Sequence, residues 1–147
     1  MVDDDMGVAL LSEAARAALK AYAPYSAFRV GAALRTVGGA TYSGCNVENA
    51  SFPVGGCAER HAIAAAVAAE GPEMRLAAIA VVALDPAGDQ AICAPCGACR
   101  QAILEFGPDA RVIFRASHEG DEGDGVVGAT AASLIPGAFS FRQPEAS

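Results

Sequence analysis

Apolar positions recur at three- and four-residue steps at the start of the chain: Val8, Leu11, Ala15, Ala18 and Tyr22 share one side, and Ser12, Glu13, Arg16 and Lys20 the other. That period predicts an amphipathic helix over residues 7–22, stopped by Pro24. The pattern then becomes extended. Residues 29–37 and 40–45 read as two strands of a hairpin, because Gly38-Gly39 tolerates the positive φ of a tight turn. Residues 57–69 are alanine-rich and apolar on nearly every side, which predicts a helix buried at the centre of the molecule and ended by Gly71-Pro72. The unbroken apolar run 76–84 has strand length and the character of a strand covered on both faces. A helix is predicted over 96–106, a short strand over 111–115, another strand from Val126, and a last helical turn between Ala129 and Ile135, leaving Phe139 and Phe141 on a tail.

Strand, crossover helix, strand is a parallel unit, so the second and third strands should point the same way and the helices after them should begin at the same sheet edge. That edge is where open α/β sheets place ligands. The acidic, glycine-rich loop 118–125 is too short for a parallel crossover, so the last two strands should be antiparallel.

The sequence has 147 residues, 53% of them hydrophobic and 18% charged. One domain spanning 1–147 is expected, with 1–6 and 142–147 disordered, and the apolar excess calls for buried helices or a subunit interface. A net charge of -7 with a single lysine, Lys20, argues against a polynucleotide partner, whose phosphates need neutralising. No run reaches the ~20 apolar residues of a membrane span, and the acidic start is unlike a signal peptide, so the expectation is a cytoplasmic protein. Five cysteines are then better read as metal ligands or buried thiols than as disulfides.

The chemistry concentrates in Cys57-Ala58-Glu59-Arg60 and Pro95-Cys96-Gly97-Ala98-Cys99. Cys96 and Cys99 stand one helical turn apart, and the positive end of each helix favours thiolates. Three thiolates leave one tetrahedral position open, the arrangement of a catalytic zinc, and Glu59 is placed to move protons beside it. Arg60 offsets the excess negative charge of the thiolates. A structural zinc and an iron–sulfur run that includes Cys93 are the competing readings; the latter lacks a ligand near position 103, which is Ile103. His61, four residues after Cys57, reads as a helix histidine with an ordinary hydrogen bond, and Cys45 as a buried strand thiol.

The motifs Tyr25-Ser26-Ala27-Phe28-Arg29-Val30-Gly31, Gly44-Cys45-Asn46-Val47-Glu48-Asn49-Ala50-Ser51, Cys57-Ala58-Glu59-Arg60, Pro95-Cys96-Gly97-Ala98-Cys99-Arg100-Gln101 and Leu134-Ile135-Pro136-Gly137-Ala138-Phe139 resemble, in order and spacing, the small homotetrameric cytidine deaminases. The resemblance runs from about residue 8 to 140. It implies a three-layer α/β/α sandwich with a mixed sheet of about five strands, the last two antiparallel. It also implies one Zn²⁺ per chain on Cys57, Cys96 and Cys99, and the hydrolytic deamination of cytidine and 2′-deoxycytidine in pyrimidine salvage. Zinc-bound hydroxide would attack C4 while Glu59 shuttles the proton.

By the same resemblance Phe28 packs the ring, Asn46 and Glu48 hold the ribose 3′-hydroxyl, and the backbone of Ala58 and the carbonyl of Ala94 read the base edge. Ala50, Phe52 and Phe139 are expected to reach another subunit's substrate. Phe52 stands where the family usually has tyrosine, and His61 replaces a more usual threonine. A relative acting on another aminated pyrimidine, such as blasticidin S, is the alternative substrate reading.

Overall fold

The computed structural model describes residues 4–141 except 119 and 122. The first helix, α1 (Asp5–Ala18), is capped by Asp4, whose carboxylate accepts from the Gly7 N–H. Residues 4–6, expected to be disordered, therefore begin the helix; residues 1–3 and 142–147 lie outside the described residues. The helix ends at Ala18 rather than at Tyr22. The Tyr22 N–H donates to the Asn46 carbonyl, which fastens the connection to the sheet.

The strands are β1 (Arg29–Thr36), β2 (Thr41–Cys45), β3 (Leu76–Leu84), β4 (Gln90–Ala91), β5 (Arg111–Arg115) and β6 (Val126–Thr130). They form one mixed sheet in the order β2-β1-β3-β5-β6, with β4 paired to the end of β3. The sequence gives no sign of β4, which is two residues held by the turn after Leu84. β1 runs antiparallel to both β2 and β3, so those two point the same way with β1 between them. β3 and β5 are parallel, and β5 and β6 antiparallel in the register Arg111↔Thr130 to Arg115↔Val126.

Residue parity divides the sheet into two faces, as the two-residue period of a strand requires. Ala33, Ala78, Ala80 and Ile113 turn toward Leu10 and Ala14 of α1. Their neighbours Ala32, Leu34, Ile79, Val81, Val112 and Phe114 turn toward the other layer. That layer holds α2 (Ala58–Glu70), α3 (Gly97–Phe106) and the short α4 (Ala131–Leu134). The result is an α/β/α sandwich.

Two glycines set the distance between layers. A Cβ on Gly31 would enter the backbone of α1 at Ala14 and Ala18. On Gly44 it would lie 2.7 Å from the Ala58 carbonyl oxygen, inside the first turn of α2. The small residues thus bring α2 directly onto β2, which positions the helix start that carries Cys57 and Glu59. The expected burial of α2 on all sides is not what the fold gives: Ala58, Ala62, Ile63 and Ala66 are covered, while Ala64, Ala65, Ala68 and Ala69 are exposed. A helix lying on one sheet has only one covered stripe.

Candidate active site

Cys57 and Cys96 are the residues immediately before α2 and α3, both with extended backbone and neither capping its helix through the side chain. Their thiols are free to point together. With Cys99 they form a cluster whose sulfur atoms all lie within 4.8 Å of one another. Tetrahedral thiolate ligands at Zn–S distances near 2.3 Å stand roughly 3.8 Å apart, so the cluster fits one zinc ion with little adjustment. His61 is not part of it. The Nδ1 of His61 lies 2.7 Å from the Cys45 carbonyl oxygen, and because a carbonyl only accepts, Nδ1 carries the proton. Cys45 itself is half-buried in the strand end.

The electrostatics suit a cation. Burial raises the Cys96 thiol, but the N–H groups of Cys99 and Ala98 and the thiols of Cys99 and Cys57 outweigh it, leaving Cys96 below the usual thiol value. Burial, then the charges of Glu59 and Cys57, push Cys99 strongly up. A buried thiol that resists ionisation beside other anions is one that a bound cation would deprotonate. Arg60 is held more firmly protonated by its hydrogen bond to Cys57 and by the charges of Cys57, Cys99 and Cys96. Cys93, half-buried near Glu59, is pushed up to about 11, chiefly by burial, and is not in the cluster.

Glu59 is 4% exposed, the one buried charged residue among those described. Burial, the largest influence, raises its carboxyl above the usual range, against its own backbone N–H, the Cys99 thiol and the Arg60 charge. Such a carboxyl exchanges a proton nearer neutral pH than a solvated one. It lies in a cavity of about 580 Å³, lined mostly by apolar surface, together with Cys57, Ala58, Cys96 and Ala94. The lining also includes Asn46, Glu48, Tyr25, Ser26 and Phe52.

Asn46 Oδ1 accepts from the Val30 N–H at 2.8 Å and its Nδ2 donates to the Phe28 carbonyl at 2.9 Å. Glu48 accepts from the N–H groups of Tyr25 and Ser26 and from the Ser26 hydroxyl, and these bonds, the hydroxyl's foremost, hold its carboxyl below the usual range. Phe28 is half-buried beside these residues and does not line the cavity; Ala50 is exposed. Phe139 is 72% exposed and lines a separate groove of about 920 Å³ near the ends of α2 and α3, tied by a 2.9 Å bond from Gln101 Nε2 to its carbonyl. Sequence reasoning missed Tyr25 and Ser26 as site residues. The signal was present in the Pro-Tyr-Ser turn after α1, a polar turn that packs against Asn46 and Glu48 only once the chain is folded.

Three clustered thiols, two of them lining a cavity that also holds a buried carboxylate, at one edge of an α/β/α sandwich, define a zinc-dependent hydrolase site. The model of the cytidine and deoxycytidylate deaminase zinc-binding region matches residues 7–116. A cytidine deaminase of Sporosarcina psychrophila is 42% identical over 131 residues, 89% of each chain. The crystal structure of a cytidine deaminase from Burkholderia pseudomallei superposes with a TM-score of 0.75 at 46% identity, covering 90% of this chain and 98% of that one. One from Mycobacterium tuberculosis gives 0.74 at 34% identity, covering 95% and 100%. The chain belongs to the cytidine and deoxycytidylate deaminase family, a family of zinc-dependent deaminases. Blasticidin S as substrate gains no support from these relatives.

Proposed function

We propose that this protein converts cytidine and 2′-deoxycytidine to uridine and 2′-deoxyuridine with release of ammonia. The observation that carries the reading is Glu59, a carboxylate 4% exposed beside the three-thiol cluster in a cavity of nucleoside size. Cys57, Cys96 and Cys99 would hold the zinc, and when bound it supplies a Lewis acid that lowers the pKa of water. Glu59 takes the proton of the attacking water, gives it to ring N3, and passes a proton to the departing amino group. The water oxygen replaces nitrogen at C4 and ammonia leaves. Arg60 tempers the charge of the thiolates.

In this reading Asn46 and Glu48 hold the sugar 3′-hydroxyl, Phe28 packs against the nucleoside, and the Ala58 N–H and Ala94 carbonyl read the base edge. Ala50, Phe52 and Phe139 complete the pocket of a neighbouring subunit in a homotetramer. Its support is the exposed stripe Ala64, Ala65, Ala68 and Ala69 on α2, together with Phe52, Val54 and Phe139, which are 76%, 69% and 72% exposed. Among the described residues no helix is long and apolar enough to cross a membrane, in keeping with a cytoplasmic place in pyrimidine salvage.

The test is the ultraviolet absorbance change on adding cytidine to purified protein, with metal content measured on the same sample and Glu59→Ala beside it. Turnover with about one zinc per chain and an inactive variant are expected; zinc without turnover of either nucleoside overturns the substrate. Sedimentation velocity tests the tetramer, and a fully active monomer overturns the shared pocket.

A further inference from the structure

The turn from Tyr25 to Phe28, which joins α1 to β1, forms part of the cavity wall and is strained. Ala27 has φ 55, the one positive-φ residue other than glycine among those described. A residue with a Cβ enters that region only where its surroundings impose it. Ala27 N donates to the Ala23 carbonyl at 3.0 Å, and Glu48 holds the two residues before it. Glu48 Oε1 accepts from Tyr25 N at 3.0 Å and Ser26 N at 3.2 Å, and its Oε2 accepts from Ser26 Oγ at 2.6 Å. Ser26 Oγ in turn accepts from Phe28 N at 3.0 Å, so this hydroxyl links the far side of the turn to the carboxylate.

Counting acceptor positions shows what is left for a ligand. A carboxylate offers about four lone-pair directions. Three are taken by the chain itself, and the fourth is on Oε2, the oxygen that Ser26 occupies. Asn46 uses one lone pair of its Oδ1 on Val30 N and one N–H on the Phe28 carbonyl, which leaves it one N–H to give and one Oδ1 lone pair. The open direction on Glu48 Oε2 and the free N–H of Asn46, two residues that line the cavity, together complement a hydroxyl group that donates to the first and accepts from the second. Without the Ser26 hydroxyl both directions of Oε2 would be open to water, and the carboxylate would be held through Oε1 alone.

We propose that Ser26 is a positioning residue for the substrate's sugar: by filling one side of Glu48 Oε2, it leaves the carboxylate a single direction in which to accept from the 3′-hydroxyl. The proposal deepens, and rests on, the reading that Asn46 and Glu48 meet that hydroxyl. The turn that displays Phe28 and the carboxylate that grips the sugar then act as one preorganised unit, and specificity for a nucleoside over a free base depends on a residue that touches neither base nor zinc.

The experiment compares KM and kcat of the zinc-loaded enzyme for cytidine and 3′-deoxycytidine, in the wild type, Ser26→Ala and Ser26→Thr. Wild type should lose about tenfold or more in KM with 3′-deoxycytidine, the range of one hydrogen bond to a charged group. Ser26→Ala should raise the cytidine KM roughly three- to tenfold, leave kcat within about twofold and leave 3′-deoxycytidine unaffected, with Ser26→Thr restoring the cytidine value because it keeps the hydroxyl. If Ser26→Ala does not fold, the same comparison is made with Ala27→Gly as background, which removes the φ strain. A KM rise equal for both nucleosides makes Ser26 merely structural and overturns the proposal, as does no change for either. A wild type that treats the two nucleosides alike overturns instead the 3′-hydroxyl reading on which the proposal stands.

Discussion

His61 donates from Nδ1 to the Cys45 carbonyl at 2.7 Å, joining the turn of α2 that follows Glu59 to the end of β2 just before Asn46. Its ring also fills the space a Cβ on Gly56 would need, and Gly56 pairs with Val47 through two backbone hydrogen bonds. The imidazole thus ties the helix of the metal cluster to the segment carrying Asn46 and Glu48. Removing it by His61→Ala leaves the Cys45 carbonyl without that partner and opens a void. The expected loss is about 1–2 kcal/mol of stability and a raised KM for cytidine with kcat less affected, measured by denaturant unfolding and steady-state kinetics.

Gly44→Ala should do greater harm than its single methyl suggests. The added carbon meets the Ala58 carbonyl oxygen at 2.7 Å and the His61 carbonyl carbon at 3.0 Å, backbone that moves only if the start of α2 moves. The cost is about 1–3 kcal/mol, and because Cys57 and Glu59 ride on that turn, zinc content and turnover should fall together. Unfolding and metal analysis on the same preparation check this.

Glu59→Gln keeps the shape of the side chain and removes its proton chemistry. A fall in kcat of about 10²–10⁴ is expected with zinc content unchanged, since Glu59 is not in the thiol cluster. A variant that lost zinc as well would mean the carboxylate supports the metal.

Arg60→Gln removes the cation whose protonation the Cys57, Cys99 and Cys96 sulfurs favour. Partners of metal ligands typically contribute 10–100-fold to metal affinity, so zinc should be surrendered to a competing chelator at a correspondingly lower chelator concentration. Full zinc retention and full rate would show that Arg60 has no such part.

Acid should expose the tie between Asp4 and Arg111, which joins the cap of α1 to β5 at 2.6 Å. The Arg111 hydrogen bond, helped by the Gly7 N–H, holds the Asp4 carboxyl below its ordinary value of 3.8. A depressed carboxylate stabilises the fold fully above the unfolded value and loses that contribution as pH falls through the folded one. Asp4→Asn, which still caps the helix, should therefore lower Tm slightly at neutral pH, and the difference should vanish well below pH 3.8. Thermal melts of both proteins across that range test it.

Much of this site was legible in one dimension because its parts are local. Cys57 and Glu59 share one helix start, Cys96 and Cys99 one helical turn, and the apolar run 76–84 has the length and character of a strand covered on both faces; short-range spacing carries all of that. The parallel strand directions then bring the two helix starts to one edge, as the thiol cluster bears out.

What the folded chain alone decided concerns partners distant in sequence. The covered stripe of α2 depends on its lying on a single sheet, so Ala64 and Ala65 read as core by composition yet stand exposed. β4 exists because Gln90 and Ala91 meet the end of β3, a pairing with no local signature. Asn46 and Glu48 could be marked as polar site residues from their motif, but which of their lone pairs and N–H groups remain for a ligand was set by the Tyr25–Val30 backbone and the Ser26 hydroxyl, some twenty residues earlier. Spacing reveals which groups a helix or strand will present; hydrogen bonds between remote segments decide how many are left free, because each lone pair can be used only once.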